Sequence, residues 1–172
     1  MIAELGLAAL WLAAALAALQ LLCGALATRA GEGAGDLAPI TRPAAILQGG
    51  LVAFAFAMLI WVFAITDLSV RLVAANSHAM KPLVFKLAGT WGNHEGSMLL
   101  WVTVMALAGA LIAAVERRLP ERTMQATLAA QGFVALGFYA FLLLSSNPFE
   151  RLPIPPVEGM ALKRLLQDLG FA

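Results

Sequence analysis

Charge is what this sequence has least of. Only 12% of its 172 residues are Asp, Glu, Lys or Arg, and the formal net charge is +1. Soluble domains carry about twice that charged fraction, and a chain so close to neutral sets up no basic field to attract nucleic acid, which is therefore not an expected partner. Cysteine occurs once, as Cys23, which excludes an internal disulfide and a thiolate zinc cluster. Set inside an apolar block, it reads as an inert small hydrophobe rather than a reactive thiol. Basic residues are missing from the start of the chain, where Met1-Ile2-Ala3-Glu4 has an acid instead. That start, and a first apolar block too long for a signal core, argue against a secretory signal.

What the chain does have is long hydrophobic runs, with 62% of its residues apolar. Lipid offers no partners for backbone N–H and C=O groups, so a crossing segment must be a helix or part of a closed barrel. A helical crossing needs roughly 20 apolar residues, and blocks at about 5–27, 44–65, 98–115 and 124–144 qualify. None alternates as a barrel strand would. The predicted fold is all-α, a polytopic transmembrane helical bundle of four spans. An outer loop, 66–97, is expected to contain short interfacial helices, and an outer tail covers 146–172. Gly31, Gly33, Gly35, Pro39 and Pro43 mark the first connection, and Pro120 breaks the charged third one, Glu116 to Arg122. Ser97 is placed to cap the third span.

Basic residues near span ends set direction. Arg117, Arg118 and Arg122 crowd one short connection, and Arg29 and Arg42 fall on the same side. That side is expected to be cytoplasmic. Arg71, Lys81, Lys86, Arg151, Lys163 and Arg164 are spread thinly over the other side. Trp61, Trp91 and Trp101 fall near the predicted outer boundary, where indole rings prefer the headgroup level. Trp11, inside the first span, reads as anchoring or packing.

The span centres lack Asp, Glu, Lys, Arg and His, so they read as scaffold rather than as an ion or proton path. Gln20, Gln48, Thr103, Gln125, Gln131 and Tyr139 are expected to join helices by hydrogen bonds. Gly49, Gly50, Gly109, Gly132 and Gly137 are expected to let helices approach closely.

Chemistry is therefore sought in the outer loop. Asp67 to Val73 alternates apolar and polar residues, which suits either a strand or an amphipathic turn of helix. Pro82 biases Lys81 away from helix. Leu83 to Ala88 is apolar enough to lie on the membrane surface with Lys86 snorkelling. The loop ends in Trp91-Gly92-Asn93-His94-Glu95-Gly96-Ser97, the candidate site. Its glycines allow close bending of the backbone, and His94 beside Glu95 supplies a titratable pair. The residues alone also permit a plain interfacial anchor with a solvated His94. One histidine and one glutamate do not make a metal site, since zinc takes three or four protein ligands.

The run Trp91-Gly92-Asn93-His94-Glu95-Gly96-Ser97-Met98-Leu99-Leu100-Trp101 closely resembles the "WGxHEGSLLLW" stretch of the cytochrome c-type biogenesis family CcmF, the large haem lyase subunit. Asp67-Leu68-Ser69-Val70 with Asn76-Ser77 resembles that family's "DFSV…NS" segment. Ser146-Asn147-Pro148-Phe149 and Leu165-Leu166-Gln167-Asp168 resemble its "SNPF" and "LLQD" segments. The resemblance is to the family's N-terminal portion and runs from Glu4-Leu5-Gly6 to the last residue. His78 departs from the polar residue usual there and is not treated as a site. Beyond Gly170-Phe171-Ala172 the family continues with a His-Pro-Pro histidine, a tryptophan-rich segment, more helices and further haem-ligating histidines.

The resemblance implies cytochrome c maturation at the outer face of the bacterial inner membrane, with the motif loop facing the periplasm. Haem would arrive from the chaperone CcmE and be attached to apocytochrome c presented by CcmH and CcmI. The expected cofactor is haem b, held through the complete family protein with its axial ligands outside this chain. A second chain carrying the remaining segments is an expected partner. Trp91 to Ser97 would form part of the wall beside the external haem, with His94 and Glu95 orienting a neighbour or a propionate. A hinge leading into the third span is the competing reading of the motif. Alone, the chain is expected neither to bind haem tightly nor to catalyse ligation. Two further readings stay open at this point: a membrane assembly subunit without a haem role, and a nitrite-reductase haem lyase paralogue.

Overall fold

A computed structural model of the chain describes residues 1–29, 37–157 and 159. Four long helices carry the fold: α1 (Ile2–Arg29), α2 (Ala38–Ala64), α5 (His94–Val115) and α6 (Glu121–Leu144). All four are long and apolar enough to cross a membrane. Two short helices, α3 (Arg71–Asn76) and α4 (Leu83–Gly89), lie between α2 and α5. The helices close a ring in which α1 packs on α2, α2 on α5, α5 on α6 and α6 on α1. Among the described residues there is no strand, only a single antiparallel bridge between Val70 and Arg151. The Gly31, Gly33 and Gly35 turn, the "LLQD" stretch, Lys163 and Arg164 fall outside the described residues.

Each long helix begins before its apolar block, because helical geometry continues into the polar ends where caps can satisfy the first N–H groups. Pro39 sits in the opening turn of α2, where a missing N–H costs least, whereas Pro43 lies inside the helix one turn later. The start of α5 differs most from expectation. Its cap is Asn93, whose Oδ1 accepts the Gly96 N–H at 2.7 Å. Ser97 lies inside the first turn, its hydroxyl donating to the His94 carbonyl at 3.1 Å.

The core inside the ring is built by Leu10, Leu59, Phe63, Leu99, Val102, Tyr139 and Leu142, with a smaller cluster of Ala45, Ala113, Met124 and Leu128 toward the other end. The outer surface of the bundle is also apolar. Trp11, Leu47, Trp101, Leu111, Phe133 and Leu144 are all exposed. Water would penalise that surface, whereas lipid requires it. The chain is a multi-pass membrane protein.

Polar side chains in the bundle tie helices together. Gln20 of α1 donates to the Leu128 carbonyl at 2.6 Å and to Gln131 Oε1 at 2.5 Å, both on α6. Gln48 of α2 donates to the Tyr139 hydroxyl of α6 at 3.1 Å. Thr103 instead bonds back to the Leu99 carbonyl of its own helix, and Gln125 donates to Glu121 one turn earlier. Glycines divide in the same way. A Cβ on Gly49 would stand 2.8 Å from that of Ala110, and one on Gly132 would stand 3.0 Å from the Ala17 carbonyl. Gly109 makes room for Gln131, and Gly24, which the sequence reading passed over, makes room for Ala129. Gly50 and Gly137 do not serve helix contacts within the bundle, for a Cβ on either meets nothing within 4 Å. Small size marks a residue as able to permit contact, but only its helical phase decides whether a neighbour is there.

At the basic end, Arg42 does more than bias orientation. Its Nη1 donates to the carbonyls of Ala113 and Glu116 at 3.0 and 2.9 Å, closing the C-terminus of α5 from α2. At the opposite end α2 is closed by Thr66, which lies two residues past the last helical residue and has a φ of 54°. The Thr66 and Asp67 N–H groups then bond back to the Phe63 and Val62 carbonyls at 3.1 and 3.0 Å, the paired closure that ends many helices in a left-handed residue. The ambiguous Asp67 to Val73 stretch resolves into both alternatives: a turn, one bridge residue at Val70, then helix α3.

Candidate functional site

Seven residues of the motif form the junction between α4 and α5. The Gly92 N–H donates to the Ala88 carbonyl at 3.0 Å, ending α4. Asn93 then faces both ways. Its Nδ2 donates to the Gly89 carbonyl at 2.6 Å, while its Oδ1 caps α5. Gly96 is buried against the Thr90 backbone, where a Cβ would lie 1.6 Å from the carbonyl oxygen. These contacts turn the chain sharply from a surface helix into a spanning one. Trp91 stays 46% exposed beside the turn, and α4 has no buried residue, with Leu83, Val84 and Phe85 open to the surroundings.

His94 and Glu95 do not form a pair. Adjacent residues on a helix point about 100° apart, and their neighbours differ accordingly. The exposed His94 ring meets Phe141 of α6 edge-on, with centroids 5.5 Å apart at 74°. Glu95 points toward Arg71 at 4.0 Å, and Arg71 in turn binds Glu150 at 2.9 Å. The phenyl ring of Phe141 also lines an apolar cleft of about 330 Å³ between α5 and α6, together with Met98, Val134, Gly137 and Phe138.

Residues distant in sequence brace this junction. Arg151 grips the Glu4 carboxylate through Nε at 2.5 Å and Nη2 at 2.9 Å, contacts the Ser69 hydroxyl, and lies 3.7 Å from Asp67. The Glu4 carboxylate holds the Arg151 guanidinium pKa above its ordinary value. Phe149 is only 2% exposed, its ring filling the space that Gly6 leaves on α1, where a Cβ would stand 2.5 Å away. The Asn147 carboxamide accepts the Phe149 N–H at 2.9 Å and shapes that turn. The pairing of Glu4 with Arg151 has no local sequence signal, because the two are 147 residues apart.

Among the described residues no group of three or more His, Cys, Asp or Glu is placed to hold a bare metal ion. The two imidazoles differ in access. His78 is 5% exposed with its Nδ1 accepting the Met80 N–H at 3.2 Å, whereas His94 is open.

Comparison with known proteins adds a family to this geometry. No protein-family model matches. The chain is 45% identical over 172 residues to the cytochrome c-type biogenesis protein CycK of Bradyrhizobium diazoefficiens, covering 100% of this chain and 26% of that relative. It is 41% identical over 172 residues to the cytochrome c-type biogenesis protein CcmF of Pseudomonas aeruginosa, covering 99% of this chain and 26% of the relative. A solved structure of the cytochrome c heme lyase CcmF superimposes with a TM-score of 0.80 at 27% identity, over 99% of this chain and 28% of that one. The chain thus spans about a quarter of the length of the relatives it matches. The apolar four-helix ring and the match along the whole chain agree: the chain corresponds to an N-terminal portion of the cytochrome c-type biogenesis proteins CcmF and CycK.

Proposed function

We propose that this chain is part of a haem lyase machinery that matures c-type cytochromes at the outer face of the bacterial inner membrane. The observation that carries the reading is the match to CycK along all 172 residues, which includes the Trp91 to Ser97 junction. Haem is the cargo. It arrives from the chaperone CcmE, is coordinated as haem b through family segments other than these, and is attached to apocytochrome c presented by CcmH and CcmI. The motif loop faces the periplasm in this reading.

The role of these residues is placement more than bond-making, since the organic chemistry belongs to the haem and the thiols it joins. Asn93 and Gly96 hold the end of α5 rigid. His94 is the accessible imidazole and stands beside the mouth of an apolar cleft, so it supports a contact to the edge of the porphyrin or to a propionate. Glu95, engaged by Arg71, supports the orientation of its helix turn rather than a direct contact. Trp91 supports packing against the macrocycle or a neighbouring aromatic side chain.

The test is a His94→Ala substitution in the complete family protein, with covalent haem on a reporter cytochrome c measured in cells. At unchanged membrane levels, haem attachment is expected to fall at least several-fold. Normal attachment would remove His94 from the site. Alone in detergent, the chain is expected to lack a bis-histidine haem spectrum.

A further inference from the structure

The two ends of the bundle treat their arginines differently. At the outer end Arg71 is matched to Glu150, and Arg151 to Glu4 and Asp67. At the other end Arg117 and Arg118 lie in the turn between α5 and α6, and Arg122 follows in the first turn of α6, all three exposed. Two glutamates flank them, yet both are engaged elsewhere. Glu116 Oε1 accepts the backbone N–H groups of Arg118 and Leu119 at 2.6 and 3.3 Å. Glu121 Oε1 accepts from Gln125 Nε2 at 2.6 Å. Among the described residues no carboxylate forms an ion pair with Arg117, Arg118 or Arg122. Arg117 makes one long bond, 3.4 Å, to the Ala114 carbonyl, and the neighbouring Arg42 is occupied in closing α5. Three like charges therefore share one short turn with their guanidinium groups directed outward, an arrangement that favours an anion from outside the chain.

Position decides what that anion is. Helix α5 has 22 residues, a length of about 33 Å at 1.5 Å per residue, little more than the roughly 30 Å of bilayer hydrocarbon. The turn that follows is too short to leave the membrane surface, so its arginines stand at headgroup level. Leu111 and Val115, one turn apart on α5, and Leu119 in the turn are exposed beside them. Acyl chains suit that apolar strip, and the planar guanidinium groups at its end suit the phosphates to which such chains are attached. We propose that the α5–α6 turn is a binding surface for anionic phospholipid headgroups, which Arg117, Arg118 and Arg122 hold in the adjoining leaflet. A zwitterionic lipid offers the same phosphate but carries its own cation, so uncompensated arginines select lipid with net negative charge. The surface lies at the end of the bundle opposite the Trp91 to Ser97 junction and does not depend on the haem-handling reading.

The test reconstitutes the full chain in phosphatidylcholine vesicles with a trace of spin-labelled phosphatidylglycerol or spin-labelled phosphatidylcholine. Electron paramagnetic resonance then reads the share of each label that the protein immobilises. The wild-type chain is expected to hold phosphatidylglycerol at least about threefold more strongly than phosphatidylcholine. The combined variant Arg117→Gln, Arg118→Gln and Arg122→Gln alters exposed positions only, and is expected to bring that ratio close to one. Lys81→Gln with Lys86→Gln, at the outer end, is expected to leave the ratio unchanged. A preference kept by the arginine variant would overturn the proposal. A fall as large in the lysine variant would show general charge attraction rather than a site at this turn, and would overturn it too. A wild-type ratio of one, which needs no variant to interpret, would also overturn it. The counter-charge would then come from a partner's acidic segment, or from Glu32 and Asp36 of the first connection, which lie outside the described residues.

Discussion

A Cβ on Gly96 would sit 1.6 Å from the Thr90 carbonyl oxygen, an atom of the backbone that cannot rotate away. Gly96→Ala must therefore open the α4–α5 turn. A loss of about 3 kcal/mol is expected, near the upper end for overpacking, and thermal unfolding in detergent would read it. Asn93→Ala should cost about 1 kcal/mol by removing the cap. Equal effects of the two would show that the close approach at Gly96 is not what organises the turn. At this scale the motif residues were legible as a group, because tryptophan, glycine, histidine and glutamate so close together are unusual beside an apolar block. Their directions were not. His94 and Glu95 are neighbours in sequence, yet one faces Phe141 and the other Arg71, and those partners come from other elements.

Among the elements, the end of α2 shows the clearest local tension. Thr66 adopts a left-handed conformation, with φ of 54°, that a β-branched residue rarely takes. Its buried hydroxyl has no hydrogen-bond partner among the described residues. Left-handed geometry costs a side-chain-bearing residue about 1–2 kcal/mol. Glycine gives back about 0.5–1 kcal/mol of that through its more flexible unfolded chain. Thr66→Gly is therefore expected to stabilise the protein by about 0.5–1 kcal/mol, seen as a raised Tm. A lowered Tm would mean that Thr66 makes a contact worth more than its strain. The long helices could be read from their apolar blocks, as could the surface character of α4. Helix starts were harder, since the cap of α5 depends on which side chain reaches an N–H, and both Asn93 and Ser97 are of the right type.

For the molecule as a whole, the outer end is a braced platform. Arg71 and Arg151 join the tail to α1, to the turn after α2 and to the start of α5. The buried Phe149 ring pins the tail to α1. The proposed role needs this platform outside and Arg117 to Arg122 inside. Val157 is 96% exposed and Arg118 is exposed at the opposite end, while Cys23 is buried. In intact cells, Val157→Cys should react with a membrane-impermeant maleimide and Arg118→Cys only after permeabilisation. The reverse pattern would invert the map.

Hydrophobic run length and the clustering of arginines, both properties of the linear chain, determined the helical class, the number of spans and their expected direction. Backbone hydrogen bonding in lipid leaves no other solution for runs of that length. Tertiary structure decided which glycines meet a neighbour, which glutamines bridge helices, where His94 faces, and that Glu4 and Arg151 meet. Those depend on helical phase and on contacts between residues far apart in the chain. No local pattern encodes them, because the partner that makes a residue useful is supplied by another helix.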